Sequence, residues 1–262
     1  MRWRRSGFLV NRRPHEEQHF LDNYDASIYD RPSVSVDVVI LTLREGHLQA
    51  LLVKRKEHPF LNYWSLPGGF VQVHESLDEA AARVLRQKAG LEGVVGLERE
   101  GATHHPIYLE QLYTFGSPER DPRTRVISVA YYALVEASHI REVGEETALF
   151  KLRIPEGVGS VEIYDNKHKK YSLAFDHAEI LAVAVRRIRG KLGYTPIGFE
   201  LLPERFTLRQ LQAVHEIILQ KKLNKDSFRR KMLASGMLEA TGELERGVGF
   251  RPAELYRFRR GA

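Results

Sequence analysis

The residues best placed to do chemistry lie in one stretch, Gly69 to Leu91. A Pro67-Gly68-Gly69 turn leads into it, and Glu75, Arg83 and Lys88 punctuate it. Glycines let a backbone approach a ligand closely, and the N–H groups of a loop running into a helix bind anions. Ser76 and Glu79 form a Ser-x-x-Glu capping box, and Gly90 stands where a helix end takes a left-handed residue, so a helix is expected over Leu77 to Ala89. Positions 84, 87 and 88 then share a helix face. That face carries an aliphatic group, a neutral amide and an ammonium: Val84, Gln87 and Lys88. It suits a phosphate better than a divalent metal, which demands several oxygen ligands. Arg55 ends a strand just before the loop, and Trp64 and Phe70 flank it. The aromatics either stack on a base or sugar, or pack into the core.

The segment resembles the Nudix box through Gly69, Glu75, Arg83, Leu85, Gly90 and Leu91, whereas Val84, Gln87 and Lys88 stand where that family has three glutamates. The resemblance implies a pocket that binds a phosphorylated ligand without catalytic residues and without a metal. Arg120-Asp121-Pro122-Arg123-Thr124-Arg125 resembles the Arg-Asp-Pro-Arg segment of ADP-ribose-type Nudix proteins. Arg123 and Arg125 are candidates to hold a diphosphate bidentately, with a solvated turn as the plain alternative. His177 is a candidate pocket residue at the start of a later helix, with Asp176 before it as N-cap. The full candidate ligand set is Arg55, Trp64, Gly68, Gly69, Phe70, Glu75, Arg83, Lys88, Arg123, Arg125 and His177. His104-His105 has no matching acid or cysteine pattern and is not read as a metal site. A hydrolase using Glu75 with Glu79 or Glu145 is the enzyme alternative.

The elements that must position these groups follow from periodicity. Val34 to Leu43 alternates as a strand, Glu45-Gly46 turns, and Leu48 to Lys54 is its hairpin partner. Leu61 to Val73 reads as a loop, Glu110 to Phe115 and Val126 to Val135 as strands, and His177 to Arg189 as a helix. Tyr194 to Glu204 carries Pro196, Gly198 and Pro203 and reads as a connector. From Thr207 a helix is expected to about Lys222, with Leu208, Leu211, Val214, Ile217 and Ile218 on one face. A short helix to Gly236 follows, with Phe228, Met232 and Leu233 inward. Two strands, Met237 to Thr241 and Glu254 to Phe258, close the pattern.

Leu201 to Ala262 holds 13 Lys and Arg against 7 Asp and Glu, a net of +6 that equals the charge of the whole chain. The basic excess therefore belongs to the C-terminal quarter, as a nucleic-acid footprint would. Lys225, Ser227, Arg229, Arg230 and Lys231 face outward from the short helix, and Arg246 and Arg251 lie on the expected wing. These seven are the candidate DNA-binding residues. The first 14 residues hold five arginines and no acid. They read as a frayed basic arm or a start codon assigned too early, or else as a DNA contact or an organelle address. Absence of cysteine excludes thiolate sites, and no apolar run is long enough for a membrane span.

Thr207 to Leu233, with Asn23-Tyr24-Asp25 and Arg31-Pro32-Ser33-Val34, makes residues 20 to 258 resemble the Nudix-related transcriptional regulators of the NrtR type. The expected architecture is α/β: a Nudix α/β/α sandwich with mixed sheet, then a C-terminal winged helix-turn-helix. The expected boundaries are 1–20 for the basic arm, 21–193 for the effector domain, 194–206 for a linker and 207–262 for the winged helix. The resemblance implies a bacterial, cytoplasmic repressor of NAD-metabolism genes. It would bind a palindromic double-stranded operator as a homodimer, use no cofactor, and release DNA on binding ADP-ribose or a related phosphorylated sugar. Alternatives are an active pyrophosphatase on ADP-ribose-like nucleotides, a regulator of sugar catabolism, or an RNA- or protein-binding adaptor.

Overall fold

The computed structural model describes residues 15–91, 107–140, 146–155, 161–247, 249 and 251–259. The first 14 arginine-rich residues, His104-His105 and Glu145 lie outside the described residues. The chain divides into a small unit ending at Pro32 and a large one beginning at Ser33. In the small unit, helix α1 (His15–Asp22) precedes a 3-10 turn, Ala26–Ile28. Asp25 caps that turn, its side chain accepting from the Ser27 N–H. Residues 15–20 of the expected arm therefore lie in a helix that begins with Glu16 and Glu17 in its first turn.

The large unit is built on a mixed nine-stranded sheet. Strand β1 (Ser33–Arg44) is its spine. It pairs antiparallel with β2 (His47–Lys54), antiparallel with β4 (Gly68–Phe70), and parallel with β6 (Val126–Leu134). β3 (Trp64–Ser65) adds to β2, and β5 (Tyr108–Phe115) flanks β6. Beyond β2 lie β7 (Thr147–Arg153), β8 (Glu162–Tyr164) and β9 (Lys170–Tyr171). Those three, with β3 and β4 inside the expected loop, are strands that the residue pattern does not announce.

β1 is buried on both faces, as a central strand must be when helices cover both sides of a sheet. Val36, Val38 and Ile40 pack under helix α2 (Leu77–Ala89), with Ala81, Val84 and Leu85. Val39 and Leu41 face helix α3 (His177–Lys191), with Ile180, Leu181 and Ile188. This is the expected α/β/α sandwich. Helix α2 starts on the Ser76–Glu79 capping box and ends at Gly90, whose φ of 65° is left-handed.

The C-terminal part begins earlier than expected. Pro196–Leu201 forms a 3-10 segment with Ile197, Gly198, Phe199 and Leu201 buried, so the breaker-rich stretch is packed structure and not a slack linker. Ile197 and Leu201 join the core under α3, while Phe199 joins a separate core with Phe206, Leu211, Phe228 and Met232. Helix α4 (Leu208–Leu219) opens on a Thr207–Gln210 capping box. Its apolar stripe is shared: Leu208 and Leu211 serve the C-terminal core, Val214 and Ile218 the core under α3. Helix α5 (Lys225–Ala234) is capped by Asn224 and buries Phe228 and Met232. Leu233 does not join them and is 46% exposed. The hairpin β10 (Leu238–Leu244) and β11 (Glu254–Phe258) completes a winged helix, with a bridge from Phe206 to Tyr256.

Candidate functional site

The Gly-rich turn, the end of β2, the β5–β6 loop and the start of α3 enclose a cavity of about 640 Å³, within the range that holds drug-sized ligands. Of the expected ligand residues, Arg55, Gly68, Gly69 and Phe70 line it from one side, and Lys88, Arg123 and His177 from others. Trp64, Glu75, Arg83 and Arg125 do not line it. Trp64 takes the core role, packed edge-on to Phe150 with ring centroids 4.8 Å apart. Arg125 donates to the Gly116 carbonyl at 2.7 Å and ties its loop. Arg83 and Glu75 are spent on each other. Nε and Nη2 of Arg83 donate to the two Glu75 oxygens at 2.8 and 2.6 Å, and Nη2 also reaches the Phe70 carbonyl at 3.0 Å. The guanidinium holds the Glu75 carboxyl well below its ordinary range, at about 2. Together they brace the turn from outside the cavity.

The floor contains groups that local sequence does not mark. Asp37, in the middle of β1, accepts from Ser128 Oγ at 2.5 Å and from Arg120 Nη2 at 3.3 Å. Arg120 also donates twice to Asp176, both at 2.8 Å. Burial opposes the Arg120 charge, but Asp176 and Asp37 outweigh it and hold the guanidinium ionised. Asp176 therefore makes no side-chain cap on α3, contrary to its expected role, because Arg120 takes both of its oxygens. His177 is buried, and its Nδ1 accepts from the Leu66 N–H at 2.9 Å. A neutral ring so bonded carries its proton on Nε2, which faces Asp37 Oδ1 at 3.6 Å. Burial pushes His177 below its ordinary value and outweighs Asp37, so the ring stays neutral at pH 7.

The rim is cationic and aromatic. Arg123 is held by the buried Asp121, with Nε at 3.0 Å and Nη2 at 2.7 Å from its oxygens. Among the described residues Arg55 donates only to carbonyls, those of Pro59 and Glu57. Its guanidinium lies 4.7 Å from the Phe175 ring, and that of Arg123 lies 5.9 Å from the same ring. Burial first, and then Arg123, lower the Arg55 pKa. Two like charges on one ring are what an anion would relieve. Phe175 holds a left-handed φ of 53°, costly for a residue with a side chain and a mark of ligand-binding segments.

The face of α2 turned to this site carries no carboxylate. Val84 is 2% exposed in the core under α2, and Gln87 and Lys88 present an amide and an ammonium to the cavity. Among the described residues no group of three or more His, Cys, Asp and Glu could hold one.

At the other end of the unit, Lys225, Ser227, Arg229, Arg230 and Lys231 are all exposed on α5, as are Arg246 and Arg251 on the wing. None of these cations forms a salt bridge among the described residues. The turn into α5 is stitched by Glu216, whose carboxylate accepts from the Leu223 N–H, Lys222 and Gln212. A short helix capped and braced in this way, with exposed cations outward, is the arrangement that enters a major groove.

Fold and site together define a ligand-binding Nudix module carrying a DNA-binding winged helix. The NUDIX domain model matches residues 31–140, and the NrtR DNA-binding winged helix domain model matches 198–258. Over 244 residues, 92% of this chain and 88% of the relative, the sequence is 36% identical to the ADPR responsive transcriptional repressor NtrR of Acinetobacter baylyi. The crystal structure of Shewanella oneidensis NrtR complexed with a 27mer DNA matches at a TM-score of 0.69 and 32% identity, covering 86% of this chain and 93% of that one. An ADP-ribose pyrophosphatase of Methanocaldococcus jannaschii is 32% identical over 154 residues, 59% of this chain and 73% of that protein. The chain belongs to the NrtR family of transcriptional regulators. No helix among the described residues is long and apolar enough to cross a membrane.

Proposed function

We propose that this chain is a cytoplasmic bacterial repressor of NAD-metabolism genes whose Nudix pocket senses ADP-ribose, or a related phosphorylated sugar, without hydrolysing it. One observation carries the reading. A single compact unit holds a cationic pocket whose α2 face offers no carboxylates, and a winged helix whose α5 exposes Lys225, Arg229, Arg230 and Lys231, none of them in a salt bridge among the described residues. The Acinetobacter relative is an ADPR responsive repressor, which supports the choice of effector. Arg55 and Lys88 attract the phosphates, Gly68 and Gly69 let the β4 backbone come close to them, and Phe70 or Phe175 covers an apolar ring face. A module this small binds duplex weakly alone, so a homodimer on a palindromic operator is the working form. The ligand favours one arrangement of the chain, and that differential affinity releases DNA. A gel-shift titration on the promoter of an NAD-salvage operon tests this. A shift unmoved by ADP-ribose and by phosphorylated pentoses refutes it.

A second reading, an active pyrophosphatase, is favoured by the likeness to the Methanocaldococcus enzyme. Magnesium-dependent release of AMP from ADP-ribose, abolished by Glu75→Gln, would establish it.

A further inference from the structure

The packed segment Pro196–Leu201 leaves no slack between pocket and winged helix, so an effector signal has to cross packed contacts. Helix α3 touches both ends. Its first turn is fixed in the cavity floor by the Asp176–Arg120 pair and by the Leu66 N–H on His177. Farther along, Arg187 donates to the Leu112 carbonyl and Lys191 to Glu110, which tie the helix to β5 inside the Nudix layer. Arg189 turns the other way. Its Nε donates to the Ile218 carbonyl at 2.7 Å, while Ile188 and Leu192 share a core with Val214 and Ile218.

The position of that bond matters. Ile218 lies in the last turn of α4, where carbonyls lack partners within the helix and the dipole favours a cation. Two residues on, Gln220 takes a left-handed φ of 52°, and Glu216 clamps the turn that aims α5. Arg189 thus grips α4 immediately before the turn that sets the DNA-facing helix. Its Nη2 is in addition buried with no hydrogen-bond partner among the described residues. Buried donors are almost always bonded, and this spare one is able to engage if α4 shifts. Burial also lowers the Arg189 pKa.

We infer that Arg189 is the positioning residue that couples the pocket to α5, exchanging its hold on the end of α4 between two bonding arrangements. The inference rests on the reading that effector binding changes DNA affinity. It is tested with the full chain, ADP-ribose as probe, and a duplex selected by the protein from a random pool. ADP-ribose affinity is measured by calorimetry, and DNA affinity by fluorescence anisotropy with and without saturating ADP-ribose. In the unaltered chain the two DNA affinities differ by a factor in the usual coupling range of about 5–150. In Arg189→Met, ADP-ribose affinity and DNA affinity without ligand each stay within about threefold, and the factor falls to near 1. Arg189→Lys keeps the charge with different donor geometry and gives an intermediate factor. A full factor in Arg189→Met overturns the inference. No factor in the unaltered chain overturns the effector reading and the inference with it, an outcome that does not involve the variant at all. Should Arg189→Met fail to fold, hydrogen exchange in the unaltered chain decides. ADP-ribose must change exchange at residues 217–223, and unchanged rates there overturn the inference.

Discussion

Two adjacent glycines in the pocket turn make opposite predictions. A Cβ on Gly68 would stand 2.2 Å from Asp37 Oδ1 and 3.0 Å from the Val36 carbonyl oxygen. A Cβ on Gly69 would meet nothing closer than Val84 Cγ2 at 3.7 Å. Gly68→Ala therefore forces the Asp37 carboxylate to retreat by about 1 Å to reach ordinary contact, and it has no free direction. One oxygen is held by Ser128 and Arg120, and the other faces His177. Hydrogen bonds to charged groups contribute roughly 1.5–3 kcal/mol each. Weakening two of them, with partial relaxation, costs about 2–4 kcal/mol. In a unit of this size that is a fall of roughly 5–10 °C in melting temperature. Gly69→Ala makes only ordinary contacts and stays within about 0.5 kcal/mol. Urea unfolding of both variants with a common slope is the assay. If Gly68→Ala is as stable as Gly69→Ala, the claim that the buried carboxylate dictates the glycine is wrong.

Further outcomes are expected. Arg55→Ala removes the pocket guanidinium that, among the described residues, is bonded only to carbonyls, and calorimetry is expected to show ADP-ribose affinity lowered about 10–100-fold, for 1.5–3 kcal/mol, with unfolding nearly unchanged. Arg230→Ala weakens binding to all duplexes alike and reduces the slope of log K against log salt by about 1; an unchanged slope would remove Arg230 from the interface. His215 gives a pH signature. Burial, with Lys231 second, holds its folded pKa at about 4, below the ordinary 6.5. The unfolded chain takes the proton first as pH falls, so stability is lost from about pH 6.5 down to about pH 4, by at most about 3 kcal/mol. Unfolding curves at pH 7 and pH 5 that superimpose would refute this, and His215→Gln flattens the dependence.

Legibility of the chain followed the range of the forces involved. Helix α2 could be bounded from residues alone because the Ser76–Glu79 box and Gly90 act within one turn of its ends. Arg55, Lys88 and His177 could be nominated because a glycine-rich turn draws cations and helix starts around it. Asp37 could not. It sits in an apolar strand, and its partner Ser128 lies 91 residues away. Arg120 and Asp176 are likewise 56 residues apart, and that long-range pair overrode the local preference of Asp176 for capping. Trp64 looked equally fit for ligand or core, and only the position of Phe150 decides it. Strands β7 to β9 were hidden because they are short or carry many charges, and their pairing alone defines them.

The divided apolar stripe of α4 has a consequence for how such chains can be recombined. Leu208 and Leu211 belong to one core, Val214 and Ile218 to the other. A cut between α3 and α4 would strip both cores of side chains, so neither half is a self-sufficient building block. Grafting a foreign recognition module here requires carrying over the α3-facing half of α4 and the Ile197–Leu201 segment with it. A chimera joined at the breaker-rich stretch would inherit two wounds, whichever side supplied the DNA reader.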